Sequence, residues 1–208
     1  MDEPIESADL ASDDFARGVL AVAGRMSGFG APWCVGGGWA ADLYLGRKTR
    51  EHADVDLVVL RGDQHRLHAH FPGWRFQRVL RGEFTDWLPG EHVDPPVHEI
   101  HARFPDGLAL EFLLNDHAGA EWIYRRDPAV RCPLREVIVT SGAGIPVLCP
   151  AVVLLYKSKA PRSADEHDFH HLRPALPASQ RRWLRDALVR ADPAHPWIAP
   201  LRADHPPE

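Results

Sequence analysis

Apolar positions along the chain recur with two different periods. Phe15, Val19, Leu20, Val22 and Met26 follow a helical spacing and predict an amphipathic helix over residues 9–26. Ser27-Gly28-Phe29-Gly30 ends it. A short apolar run, Trp33-Cys34-Val35, reads as a strand that runs into Gly36-Gly37-Gly38, and residues 39–45 read as a second helix closed by Gly46 at a C-cap. The valine-rich run 55–60 predicts a buried strand. Residues 62–71 read as a helix, 74–80 as a strand, and 97–104 with 108–114 as a hairpin turned at Pro105-Asp106-Gly107. Residues 135–140 and 145–148 flank Ser141-Gly142-Ala143-Gly144 as a further hairpin. Beyond residue 150 the pattern changes to helices at 151–159, 164–172 and 179–190. A Pro- and His-rich stretch from Asp192 reads as irregular. This order predicts an α+β mixed-sheet core over residues 1–150, followed by a C-terminal helical region and irregular tail over 151–208.

Composition narrows the function classes. The 208 residues are 45% hydrophobic and 25% charged, ordinary values for a globular chain with a core. No stretch approaches the roughly 18 apolar residues of a membrane span, and the acidic N-terminus lacks the form of a secretory signal, so a cytoplasmic protein with no membrane partner is expected. With 24 Lys plus Arg against 29 Asp plus Glu, the net charge of -5 argues against a nucleic-acid partner and suits a neutral or cationic small molecule. Cys34, Cys132 and Cys149 form no close pair, so reduced, buried thiols are expected rather than a disulfide or zinc framework. The scattered histidines, His68, His70, His170 and His171 among them, lack the second ligand pair that zinc needs.

The informative segment is VGGGWAADLYLGRKTREHADVDLVV, residues 35–59. A glycine-rich turn leads from a strand into a helix, where backbone amides and a helix N-terminus suit a phosphate. Asp54 and Asp56 then stand two apart at the entry of an apolar strand. Alternate strand residues share a face, so both carboxylates aim at one point while Val55 and Leu57 face the core. Two such charges repel, and a divalent cation with oxygen ligands resolves the conflict, magnesium above all where phosphates are bound. Glu111 interrupts the apolar run LALEFLLN, a place for an ionised acid only if it shares a metal or serves as a general base. Neither the dinucleotide-binding G-x-G-x-x-G pattern nor the G-x-x-x-x-G-K-[ST] phosphate loop occurs.

On these residues the chain resembles the nucleotidyltransferase superfamily, whose signature is a Gly-Gly or Gly-Ser turn followed by D-x-D. It is most similar to the aminoglycoside and lincosamide nucleotidyltransferases, aminoglycoside 2''-adenylyltransferases in particular. Gly37, Gly38, Trp39, Ala40, Asp42, Leu45, Gly46, Arg47, Thr49, Arg50, His52, Asp54 and Asp56 carry the resemblance. A second, looser match is KSKAPRSADEHDF, residues 157–169, where Lys157, Asp165, Asp168 and Phe169 fit. Ala164 stands where such enzymes have a lysine, leaving Lys157 or Lys159 to supply that contact.

The resemblance implies a polymerase-beta-like fold with a mixed sheet and C-terminal helices. It implies transfer of a nucleoside monophosphate from ATP, or another nucleoside triphosphate, to a hydroxyl of a small acceptor, with two Mg²⁺ ions. Asp54, Asp56 and Glu111 would be the metal ligands and catalytic acids, with Glu111 completing the metal site or taking the hydroxyl proton. Gly37, Gly38, Arg47, Arg50, His52 and Lys157 would bind the nucleotide. Asp42 is expected to pair with one of the arginines. Glu83, Asp86, Trp87, Glu91, Asp94 and Glu99 suggest a surface for a polycationic sugar through charge and cation–π contact. Two rival readings stay open: an enzyme of this fold that modifies a protein or RNA, as in toxin–antitoxin pairs, and a nucleotide-binding module without catalysis. The Gly-Gly-Trp-Ala turn differs from the Gly-Ser and Arg-Gly of the former. A monomer or a homodimer is compatible with the pattern.

Overall fold

The structure, a computed structural model, describes residues 17–103 and 109–203. The first helix, α1 (Arg17–Arg25), buries Val19 and Val22, with Met26 just beyond it on the same stripe. Its expected start near residue 9, and Phe15, lie outside the described residues, as does the expected turn at Pro105-Asp106-Gly107.

A mixed sheet forms the frame. β1 (Trp33–Val35) leads into α2 (Gly37–Leu45), which Gly46 closes in the left-handed conformation at φ 68°. β2 (Asp56–Leu60) is followed by a 3-10 turn (Arg61–Asp63) and α3 (His65–His70). Then come β3 (Arg75–Leu80), β4 (Glu83–Asp86), β5 (Glu99–Arg103), β6 (Ala109–Ala118), β7 (Glu121–Ile123), β8 (Arg131–Pro133), β9 (Ile138–Thr140) and β10 (Pro146–Leu148). The strands lie in the order β4-β3-β5-β6-β2-β1-β10-β9, and β7 pairs with β6 and β8 beside this path. β2 is central, antiparallel to β1 and parallel to β6. The pattern of apolar positions does not announce β4, whose four residues are all exposed, or the three-residue strands β7 and β8.

In β6 the alternation is clean. Leu110, Phe112 and Leu114 are buried, whereas Glu111 and Leu113 on the other face are half-buried.

The chain continues through α4 (Pro150–Lys157), α5 (Ser163–Leu172) and α6 (Ala178–Ala191). One buried cluster extends from Val19 to Leu201, so these helices share the core of the sheet. Where the Pro- and His-rich composition reads as irregular, a last helix α7 (Ile198–Ala203) forms. Its anchors are apolar: Trp197 stacks on Phe169 with ring centroids 4.3 Å apart, and Ile198 and Leu201 are buried. Among the described residues no helix is long and apolar enough to cross a membrane. Cys34 and Cys149 are buried and Cys132 is partly buried, all as free thiols.

Candidate active site

The site is assembled where β1 ends, β2 begins and α2 starts. The amide of Gly36 donates to the carbonyl of Asp56 at 2.8 Å, which ties the glycine turn to the first residue of β2. Gly37 has φ +55°, and a Cβ there would overlap Oδ2 of Asp56. Only glycine fits this position. A Cβ at Gly38 would instead overlap the guanidinium of Arg50 and the ring of His52.

The expected carboxylates are brought together by strand register. Asp56 and Glu111 are direct partners across the parallel pair β2–β6, and Glu111 is the partner of His101 across β5–β6. Asp54 lies just before β2 and is exposed, with Val55 buried between the two aspartates. Burial first, then the charges of Asp54 and Glu111, push the carboxyl of Asp56 up to about 7, against an opposing pull from Lys157. Glu111 is raised as well, by burial and by Asp54 and Glu99, with His101 opposing. This is the electrostatics of a carboxylate cluster suited to a cation, and its all-oxygen donors suit a hard divalent ion. A second donor group overlaps it. Nε2 of His101 lies 2.7 Å from Oε1 of Glu99 and 3.6 Å from Oε1 of Glu111, and donor atoms of these three residues all fall within 4.8 Å of one another. Glu99 and His101 thus extend the set of possible ligands around Glu111.

A cleft of about 430 Å³ opens on these acids. Gly37, Asp56 and Glu99 line one side. Lys157, Lys159, Arg162, Arg125 and Arg126 bring positive charge to it, and Tyr156, Leu148 and Val153 supply apolar surface. Of the expected nucleotide-binding residues, Gly37 and Lys157 border this cleft. The others are disposed differently. Arg50 forms a bidentate pair with Asp168, both bonds 2.8 Å. His52 is buried, its Nε2 2.6 Å from Oδ2 of Asp42 and its ring 4.7 Å from that of Trp39. Arg47 is exposed just past the C-terminal end of α2, whereas the cleft lies at the N-terminal end. Nine helical residues separate the two ends, about 13 Å.

Asp42 pairs with His52 and with the hydroxyl of Thr49, which donates to it at 2.6 Å, rather than with an arginine. Burial raises its carboxyl, but these hydrogen bonds outweigh it and hold Asp42 below the ordinary range. A second network ties α4 to α5, and Arg50 links it to the loop before β2 through Asp168. The Nζ of Lys157 contacts Asp165 at 2.8 Å and Asp168 at 2.9 Å, and Arg162 donates to Asp165 through both its backbone and its side chain. Burial would raise Asp165, yet these donors hold it at about 2.

The acidic loop resolves differently from its sequence pattern. Trp87 is buried among His68 and Phe76, its indole nitrogen bonded to the carbonyl of Glu91, and so offers no face to a sugar. The exposed aromatic is Phe84, edge-on to His101. Register aligns Asp56, Glu111, His101, Gln77 and Asp86 across four adjacent pairs, and directly opposed residues share a face. Asp86 in this row is paired with Arg75 at 2.7 Å. Local sequence spacing carried no sign of Arg125, Arg126 or Tyr156 at the cleft.

A family model described as aminoglycoside-2''-adenylyltransferase matches residues 18–172. Curated relatives from Escherichia coli and Klebsiella pneumoniae, each a 2''-aminoglycoside nucleotidyltransferase, are 32% identical over 118 residues. That match covers 52% of this chain and 61% of theirs. Among solved structures, the antibiotic-resistance factor ANT(2'')-Ia aligns with a TM-score of 0.54 at 21% identity, over 90% of this chain and 96% of that one. The lincosamide antibiotic adenylyltransferase LnuA, with lincomycin bound, aligns with a TM-score of 0.54 at 13% identity, over 78% and 98%. At these identities the two structures speak for the fold: a nucleotidyltransferase fold with a mixed sheet and helices.

Proposed function

Because the chain belongs to the aminoglycoside-2''-adenylyltransferase family, we propose that it transfers a nucleoside monophosphate, AMP from ATP, to a hydroxyl of an aminoglycoside antibiotic. The observation that carries this reading is the register pairing of Asp56 with Glu111 directly against Gly37. It supports a metal-assisted phosphoryl centre at the mouth of a cleft of nucleotide size.

Asp54, Asp56 and Glu111 would hold Mg²⁺, with Glu99 and His101 close enough to Glu111 to complete the set. Bound magnesium would offset charge on the nucleotide phosphates and the attacking and leaving oxygens. Glu111, its proton affinity raised by burial, is suited to take the proton of the acceptor hydroxyl. The acceptor oxygen forms a bond to the α-phosphorus, the bond from that phosphorus to the bridging oxygen breaks, and pyrophosphate leaves with the electron pair. Gly37 admits the nucleotide backbone-close, and the apolar wall of Leu148 and Val153 suits the flat faces of a nucleoside.

A cationic acceptor is supported by the acidic row on the same sheet face. Asp56 and Glu111 continue toward Glu99, where Phe84 stands exposed beside His101. A lincosamide acceptor would use this charge less. Cytoplasmic location fits a nucleotide-consuming reaction.

The test is pyrophosphate release with MgATP over a panel of aminoglycosides and lincosamides, with Asp54→Asn as control. Release with an aminoglycoside that the variant abolishes supports the reading. No release with any acceptor overturns it.

A further inference from the structure

The expected phosphate-binding cations are largely neutralised by protein carboxylates. Arg50 is bound in bidentate fashion by Asp168, and Lys157 contacts both Asp165 and Asp168. Arg162 is also paired with Asp165. Besides Lys159, the positive charge of the cleft without such a partner among the described residues lies in the turn between β7 and β8.

There Arg125 and Arg126 are adjacent and both line the cleft. The turn is pinned to α4: the hydroxyl of Tyr124 donates to the carbonyl of Leu155 at 3.3 Å, and Arg126 donates to the carbonyl of Tyr156 at 2.8 Å. Both guanidiniums lie over the Tyr156 ring, 5.6 Å and 5.7 Å from its centroid. The acid next in sequence, Asp127, is taken by Arg190 of α6. Among the described residues, no carboxylate accepts a hydrogen bond from Arg125 or Arg126. Two like charges on one ring, facing a cleft that also holds Asp56, form a ready anion site. Burial and the neighbouring Arg126 disfavour the charged form of Arg125, with Tyr156, Tyr124 and Glu99 of the same cleft opposing, and a bound anion lowers the cost that is left.

We propose that Arg125, braced by Arg126 and the Tyr156 ring, binds the β- and γ-phosphates of the nucleotide and holds the departing pyrophosphate. The proposal rests on the nucleotidyltransferase reading and locates its leaving-group site. The guanidinium fork suits paired phosphate oxygens, and the charge would balance the negative charge that builds on the leaving oxygen.

The experiment is calorimetric titration with inorganic pyrophosphate in the absence of divalent metal, on the full chain and on Arg125→Gln and Arg125→Lys. Arg125 donates no hydrogen bond to a described protein group, so Arg125→Gln is expected to melt with the parent protein. Loss of one charge-assisted contact weakens pyrophosphate binding on the order of tenfold, and Arg125→Lys recovers part of that loss. Binding that is unchanged in Arg125→Gln, or no binding of pyrophosphate to the parent protein, overturns the proposal. The enzymatic reading is judged separately: if Arg125→Gln binds pyrophosphate normally while MgATP and an aminoglycoside still yield product, only the leaving-group site falls. If pyrophosphate binds through Arg125 but no acceptor supports turnover, the transferase reading falls and the anion site stands.

Discussion

Gly37 and Asp56 stand so close that a methyl group on the glycine would overlap the aspartate Oδ2. The glycine thereby sets where the carboxylate points, and its φ of +55° is one that a side chain resists by about 1–2 kcal/mol. Gly37→Ala is therefore expected to push Asp56 out of line and lower kcat by about 100-fold, as misplacement of about 1 Å does elsewhere. Measured turnover within a few-fold of the parent would show that Asp56 is positioned by other means.

The Asp56 carboxyl makes the metal-free protein pH-sensitive. In the fold it keeps its proton to about pH 7, while an unfolded chain releases it near the ordinary carboxylate value of 3.8. The folded state thus binds the proton more tightly, and stability falls as pH rises from about 4 to 7. Asp56→Asn removes this cost, which for a partly solvated group is about 1–2 kcal/mol. In EDTA the variant should melt at the parent's temperature near pH 4 and several degrees above it at pH 8, on the order of 2–4 °C per kcal/mol. Equal melting at pH 8 would contradict this. If Asp56 holds magnesium as proposed, metal and proton compete for it, and magnesium affinity should climb as pH rises toward 7 and then level off.

Asp165 has the opposite sign. Its carboxyl is held at about 2 in the fold, against 3.8 unfolded, by Arg162 and Lys157 despite its burial. It stabilises the protein at neutral pH by about 2 kcal/mol, and that contribution disappears as pH falls from 4 through 2. Asp165→Asn should be destabilised by roughly that amount at pH 7 in denaturant unfolding, with the gap to the parent closing below pH 3. A gap independent of pH would assign the effect to packing.

The buried Asp42–His52 pair, 2.6 Å between Oδ2 and Nε2, supports the third glycine of the turn, because the His52 ring occupies the space beside Gly38. Asp42→Ala leaves His52 and Thr49 without an acceptor and should cost about 1–3 kcal/mol. His52→Ala is expected to lower nucleotide affinity more than kcat, since it loosens the turn without touching the acids. Steady-state kinetics separates the two; an unchanged KM for ATP would rule out this role for His52.

The parts of the site that could be read from residue order are those whose geometry is local. Asp54 and Asp56 stand two apart, the glycine turn joins a strand to a helix within a few residues, and Glu111 interrupts an apolar strand. Each follows from backbone periodicity, and the Gly-Gly-Trp-Ala to D-x-D run carries enough detail to indicate the family. Helix and strand positions followed for the same reason, except where elements were short, as in β7 and β8, or held by distant contacts. The helix at Ile198–Ala203 depends on Trp197 stacking against Phe169, and no periodicity in the proline-rich stretch expresses that contact.

What required the folded chain was the pairing of charges across long separations. Arg50 meets Asp168, 118 residues away, so an arginine beside the motif is occupied by a carboxylate. Asp42 chooses His52 and Thr49 from among several neighbours. Trp87 turns inward although it lies among exposed acids, and Arg125 and Arg126 reach the cleft because Tyr124 and Tyr156 pin their turn to α4. Residue order specifies which groups exist and which face of a local element they share. Which cation meets which anion depends on how the sheet and the C-terminal helices close around one another, because Coulomb and hydrogen-bond energies depend on distances in space that sequence spacing does not express.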